Sequence, residues 1–232
     1  MKSFKEHVKA LKRPMVFTFG RFSVPHVGYQ KVFDKGQQLA EREDGSFRIY
    51  VSHTHDHKEN PLTYKQKVKY LHKAFPRYSN NIEEFDDANN YFVILAKLYA
   101  EGFDKVTLVV GSDRVKELKK SINKYNGHFK DGRGYNFIGG VKIVSAGDHG
   151  PESSSATKQR RYAAWGKKDS FFAELPDMKD QDKEDLYNDV RKGLKIEESQ
   201  MFDFEDLMIV DYTFGEDSYL AWLVYKRKKD II

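Results

Sequence analysis

The chain contains no cysteine, which excludes disulfides and every zinc site built on thiolates. Proline is scarce, with six in 232 residues, and there is no internal repeat and no low-complexity tract. No apolar run approaches the ~20 residues that span a bilayer. Met1 to Val8 lacks the apolar core of a signal peptide, so a cytoplasmic location and no membrane partner are expected. Basic residues exceed acidic ones only slightly, 40 against 35, for a net charge of +5. That mild excess suits anionic ligands such as nucleotides. No aromatic-interleaved basic stripe is visible along the chain, so a dedicated nucleic-acid binder is not expected.

What is present is a soluble, globular composition, with 32% charged and 14% aromatic residues. Strands and helices alternate. Met15 to Phe19 reads as a buried strand and Val27 to Ala40 as a helix. Phe47 to Ser52 is a second strand. Thr63 and Gln66 stand at capping-box spacing before a helix that runs to Ala74. Asn89 to Glu101 is a further helix, ended by Gly102. Lys105 to Val110 is a near-continuous apolar strand of the central parallel kind. A helix follows it to about Tyr125. Val141 to Ser145 is another strand, and Ser154 to Trp165 a helix with a serine-rich start.

This alternation predicts an α/β fold: a doubly wound, Rossmann-like parallel sheet in a domain over residues 1–175. Residues 176–232 read as a small C-terminal α+β appendage. It would hold a helix over Asp185 to Lys195 and a hairpin of Leu207 to Phe214 with Tyr219 to Tyr225. In open α/β sheets, ligands bind outside the carboxyl ends of the strands, where the strand order reverses. The chemistry-bearing segments all fall just after predicted strands.

The first is Phe19-Gly20-Arg21-Phe22-Ser23-Val24-Pro25-His26-Val27-Gly28-Tyr29. Gly20, Pro25 and Gly28 shape a turn, and Gly28 lets a helix start close to phosphates. The second is Ser155-Ala156-Thr157-Lys158-Gln159-Arg160, with hydroxyls and cations at a helix start. Read alone, it is an ordinary serine cap with surface basic residues. The third is Gly111-Ser112-Asp113-Arg114, which is equally a plain helix cap.

Together the first two segments resemble the two signatures of the HxGH nucleotidylyltransferase superfamily. In the second signature, I-S-S-T-x-x-R, Ser155, Ala156 and Thr157 take the S-S-T places and Arg160 the arginine. Ala156 departs from the second serine and Ser154 from the isoleucine. Tyr29 falls where the first signature has its second histidine. The likeness covers about residues 13 to 175. It is nearest to a phage-type branch, through Ser52 to Leu62, Val110 to Arg114 and Ile143 to Asp148.

The resemblance implies transfer of a nucleotide monophosphate from ATP or CTP to a phosphorylated acceptor, with release of pyrophosphate. His26, Tyr29, Lys158 and Arg160 are the catalytic candidates. Phe19, Gly20, Arg21, Phe22, Gly28, Gly111, Ser112, Asp113, Arg114, Ser155 and Thr157 are the nucleotide-binding candidates. The implied cofactor is Mg²⁺, held mainly by the nucleotide phosphates rather than by protein ligands. A phage-encoded protein would work in host cytoplasm or in the virion, with homo-oligomeric or particle partners.

Tyr29 leaves three readings open: a slow or specialised transferase, a nucleotide binder without chemistry, or a fold recruited to a structural role. His53, His55, Asp56 and His57 form a histidine-rich stretch that could offer metal ligands, although such loops are more often solvated. The run Lys116 to Lys120 and the tail Lys226 to Lys229 read as solvated charge.

Overall fold

Strand β1, Met15–Gly20, is buried on both faces: Met15 and Phe17 join one hydrophobic cluster and Val16 the other. Such burial needs helices on both sides of a sheet, and the computed structural model has them. It describes residues 14–130, 132–147 and 155–196, with the backbone at 207–208 and 226–227. Five parallel strands lie in the order β3-β2-β1-β4-β7. Strand β2 is Ser46–Val51, β3 is Ile82–Glu83, β4 is Val106–Val110 and β7 is Lys142–Ser145. The fold is therefore the doubly wound α/β sheet expected from the sequence.

On one face lie helix α1 (Gly28–Arg42), burying Val32, Phe33 and Leu39, and α2 (Tyr64–Ala74), burying Val68 and Leu71. On the other lie α3 (Tyr91–Ala100), burying Ile94, Leu95 and Leu98, and α4 (Ser112–Lys124), burying Leu118 and Ile122. The Thr63–Gln66 capping box forms at the start of α2 in both directions. Asn90 caps α3, its side chain accepting from the amides of Phe92 and Val93.

Helix α5 (Ala156–Ala164) follows the residues after β7, then α6 (Lys168–Ala173) and α7 (Asp180–Gly193). The sequence reading put a shorter helix, Asp185 to Lys195, in a C-terminal appendage. In the structure α7 starts five residues earlier, and Leu186 and Val190 enter the same cluster as α1 and α2. The first compact unit accordingly runs through Lys195.

The short elements β3, β5 (Phe129–Lys130), β6 (Arg133–Gly134) and α6 escaped the sequence reading. Two residues carry no periodicity, and six are less than two helical turns. In the second unit, residues 196–232, Leu207–Met208 (β8) pairs antiparallel with Lys226–Arg227 (β9). Lys226 and Arg227, read from sequence as a solvated tail, are thus strand residues. The expected strand Tyr219 to Tyr225 lies outside the described residues.

Gly36 on α1 marks how closely this helix meets the sheet. A Cβ there would lie 2.2 Å from the Phe47 ring, which is itself set edge-on to Tyr78. Gly36→Val is expected to destabilise the protein by roughly 1–3 kcal/mol through overpacking, read by urea denaturation.

Candidate functional site

Strand order reverses between β1 and β4: the chain moves outward through β2 and β3, then returns to β4 on the far side of β1. The loop leaving β1 at this point is tightly wound. Phe22 takes a left-handed φ of 43°, which is costly for a bulky residue and is held by its packing. Its ring folds back over Gly20, where a Cβ would meet ring atoms at 3.1–3.3 Å. The same ring stands edge-on to Tyr29 at 4.9 Å and packs on Phe33 at 5.6 Å. A side chain at position 20 would therefore press on the Phe22 ring and make it give by a few tenths of an ångström.

His26 is buried, and its Nδ1 accepts a hydrogen bond from the Gly28 amide at 3.1 Å. That bond fixes the neutral tautomer with its proton on Nε2. The imidazole lies 3.9 Å from the Tyr29 ring, centroid to centroid. Burial pushes the Tyr29 hydroxyl far above the ordinary phenol range, and the nearby Arg160 and Arg21 only partly oppose it. Tyr29 is thus a neutral hydroxyl at physiological pH, able to donate one hydrogen bond.

Helix α5 brings in the second segment. Ser155 caps it, Oγ accepting from the Lys158 amide at 3.2 Å. The Arg160 guanidinium donates to Ser23 Oγ and to Thr157 Oγ1, each at 3.2 Å, so it joins the β1 loop to the helix start. A guanidinium has five N–H donors, and these two bonds leave others for a ligand. Burial lowers the Arg160 pKa, and the like charge of Arg21 adds to that, against the pull of Glu59 and Tyr29. A bound anion would relieve this strain on the cation.

These residues enclose a cleft of about 220 Å³ lined by Gly20, Arg21, Phe22, Ser23, Tyr29, Ala156, Thr157 and Arg160. Among the described residues its lining offers two guanidinium groups, three hydroxyls and no carboxylate. It has room for phosphates rather than for a whole nucleotide within its walls. A magnesium ion there would be held mainly by phosphate oxygens, since among the described residues the lining supplies no anionic ligand. A larger hollow of about 440 Å³ lies at the opposite end of the sheet, around Pro14, Lys105 and Lys142. It gathers no comparable set of donors and is remote from the switch point.

Of the residues singled out in the sequence, the structure brings Gly20, Arg21, Phe22, Tyr29, Thr157 and Arg160 into one cleft, with His26 packed against Tyr29. Phe19, at the end of β1, packs instead on Tyr91, whose hydroxyl donates to the Phe19 carbonyl. Gly28 opens α1 behind the cleft. Lys158 pairs with Glu174 at 3.4 Å, and Ser155 is occupied as the helix cap. Gly111 precedes α4, whose first residues are Ser112, Asp113 and Arg114; Arg114 pairs with Glu117 at 3.7 Å. None of these lines the cleft.

Ser23 was missed, because a lone serine in a turn carries no signal until Arg160 is seen to reach it.

The histidine-rich segment does not converge on a metal. His53 stacks on Tyr64 and shares a hydrogen bond with the Phe85 carbonyl, while His57 meets the Gly193 carbonyl at 2.8 Å. Asp56 accepts from the amides of Lys58 and Glu59 and from the Asn60 side chain. Burial would raise its pKa, but these bonds outweigh burial and hold the carboxyl below the usual range. Among the described residues no three such side chains could hold a metal ion together. The segment instead walls one side of the β1 loop, where Glu59 pairs with Arg21.

Lys67 anchors that wall. It is fully buried, and its ammonium donates to the carbonyls of Ser52 and Thr54 just past β2. Burial drives its pKa down to about 8, with Arg21 adding and Asp56 opposing. The unfolded chain, with the ordinary value of 10.5, therefore holds this proton over a range where the folded chain has released it. Stability gains from this group as pH rises from about 8 towards 10.5, and the gain is lost again as pH falls over the same range. Relative to Lys67→Met, the wild type is expected to gain on the order of 1–2 kcal/mol between pH 7.5 and 9.5 in denaturant titrations.

No protein-family model matches the chain, and no curated protein matches it. Among solved structures it is similar to a crystal structure provisionally described as a nicotinate-nucleotide adenylyltransferase from Vibrio parahaemolyticus. The TM-score is 0.48 at 14% identity, over 75% of this chain and 98% of that one. At this level of likeness nothing about activity carries over. Among the described residues no helix is long and apolar enough to cross a membrane.

Proposed function

We propose that the chain is a nucleotidylyltransferase of the HxGH type. It would move a nucleotide monophosphate from ATP or CTP to a phosphorylated acceptor and release pyrophosphate. The observation that carries this reading is Arg160, joined to Ser23 and Thr157 and placed with Arg21 and Tyr29 around a cleft at the switch point that no carboxylate among the described residues lines. Such a cleft suits the phosphates of a nucleoside triphosphate.

The acceptor phosphate attacks the α-phosphorus in line. The new P–O bond forms as the bond to the β-phosphate oxygen breaks, and pyrophosphate carries the electron pair away. No protein nucleophile is needed. Arg160 and Arg21 hold the phosphates and offset charge on the leaving group, Thr157 offers a hydroxyl at the helix start, and Tyr29 donates one neutral hydrogen bond. Magnesium, when bound through the phosphates, supplies further charge neutralisation.

A second reading has its own observation. Tyr29 is packed among His26, Phe22 and Phe33 and stays neutral, so the position gives no cation. On that reading the chain binds nucleotide without turning it over. Pyrophosphate release from ATP or CTP with magnesium, screened over nicotinamide mononucleotide, phosphopantetheine and sugar- and alcohol-phosphates, separates the two. Acceptor-dependent release supports transfer, and none with any pair supports binding alone.

A further inference from the structure

Between Ser112 and Asn136 the chain carries seven lysines and arginines against three acidic residues, an excess of four where the whole chain has five. Lys116, Lys120 and Lys124 recur every fourth residue along α4, opposite its buried Leu118 and Ile122. Beyond the helix, Lys130 on β5 stands directly across from Arg133 on β6. Like charges at both spacings repel. Among the described residues none of these five cations has an ion-pair partner, and all are exposed.

Exposed aromatic rings lie among them. Helix α3 presents Phe92 and Tyr99, two turns and so about 10 Å apart, at 38% and 37% exposure. Phe92 meets Tyr125 at the end of α4, ring to ring at 5.2 Å; Tyr99 meets Phe129 on β5 at 5.9 Å. Tyr125 and Phe129 are 47% and 53% exposed. The Lys124 ammonium sits 5.8 Å from the Tyr125 ring. Along the sequence the two partners of each pair are separated by thirty residues or more. The fold assembles them into one face of rings bordered by cations that have no ion-pair partner among the described residues.

We infer that this face, formed by α3, α4 and the paired strands β5 and β6, binds single-stranded nucleic acid. The cations track the phosphates, the rings stack on bases, and neither element requires a particular sequence. An apolar protein surface or an acyl chain would answer the rings and leave the cations repelling one another. A bare polyphosphate would answer the cations and leave the rings in water. A single strand answers both. The site is separate from the nucleotide cleft and does not depend on the function proposed for it.

The test is fluorescence anisotropy of the full chain with labelled 12-mers of oligouridylate and oligothymidylate, against a duplex of equal length. Saturable binding is expected for the single strands, weakening about fiftyfold between 50 and 200 mM salt if some four phosphates are engaged. Tyr125→Ala with Phe129→Ala should weaken it at least tenfold. Lys130→Gln with Arg133→Gln should lower the salt slope by about 1.4. All four side chains are exposed, and unchanged thermal melting confirms that the variants fold. Arg160→Ala should leave this binding intact while emptying the nucleotide cleft, so the two sites succeed or fail separately. A preference between the two oligonucleotides tells RNA from DNA as the natural ligand. No binding at 50 mM salt, equal affinity for the duplex, or binding unmoved by both double variants overturns the inference.

Discussion

Arg160→Ala is expected to abolish measurable nucleotide binding. The guanidinium touches both halves of the cleft, through Ser23 on the β1 loop and Thr157 on α5. Removing one partner of a desolvated, hydrogen-bonded charge pair typically costs ~2–5 kcal/mol, at least thirtyfold in affinity. The loss should exceed that of Arg21→Ala, because Arg21 is largely exposed and already paired with Glu59. Arg160→Lys should rescue little. A lysine keeps the charge but cannot reach Ser23, Thr157 and a phosphate with one planar fork. Isothermal titration of the three variants gives the order directly. An Arg21→Ala defect larger than that of Arg160→Ala would place the anion at the outer rim.

Tyr29→His carries the second large effect, and it is a gain. The tyrosine hydroxyl donates one neutral bond, whereas a histidine there could add a cationic contact to the phosphates. One donor that acts in the transition state is worth ~10²–10³ in rate. If the chain is a slow transferase, Tyr29→His should raise pyrophosphate release by at least about tenfold, part of the gain being lost to imperfect placement. The cost is packing: the ring contacts with Phe22 and Phe33 are shortened or lost. A stability loss of roughly 1–3 kcal/mol is expected alongside, measured by urea denaturation. A variant that folds, binds nucleotide and still releases no pyrophosphate would favour the reading in which the cleft only binds.

The fold was legible where periodicity or capping chemistry is local. Val106 to Val110 reads as a buried strand because every residue is apolar or β-branched, and it is buried throughout. Thr63 and Gln66 announce α2 because a capping box is a local hydrogen-bond pattern, and it forms as written. The two halves of the cleft were each visible as motifs, and Gly20, Arg21, Tyr29, Thr157 and Arg160 do meet.

What stayed hidden depends on contacts distant in sequence. Lys67 lies in a helix rich in lysine where nothing local marks it for burial, and the two carbonyls past β2 draw it fully inside. Lys158 is equivalent to Arg160 by composition, but one turns to Glu174 and the other to the cleft. Leu186 and Val190 show helical spacing but not which cluster receives them. The aromatic pairs Phe92–Tyr125 and Tyr99–Phe129 exist only because α3 and α4 share one face of the sheet.

The most direct test of the central claim is calorimetric titration of the full chain with ATP and with CTP, each with magnesium, beside Arg160→Ala. Saturable micromolar binding of one nucleotide, lost in the variant, is the predicted result, and it names the donor. Binding of neither nucleotide, or binding that Arg160→Ala leaves unchanged, would contradict the account and show that the cleft at the β1–β4 switch point is not a nucleotide site.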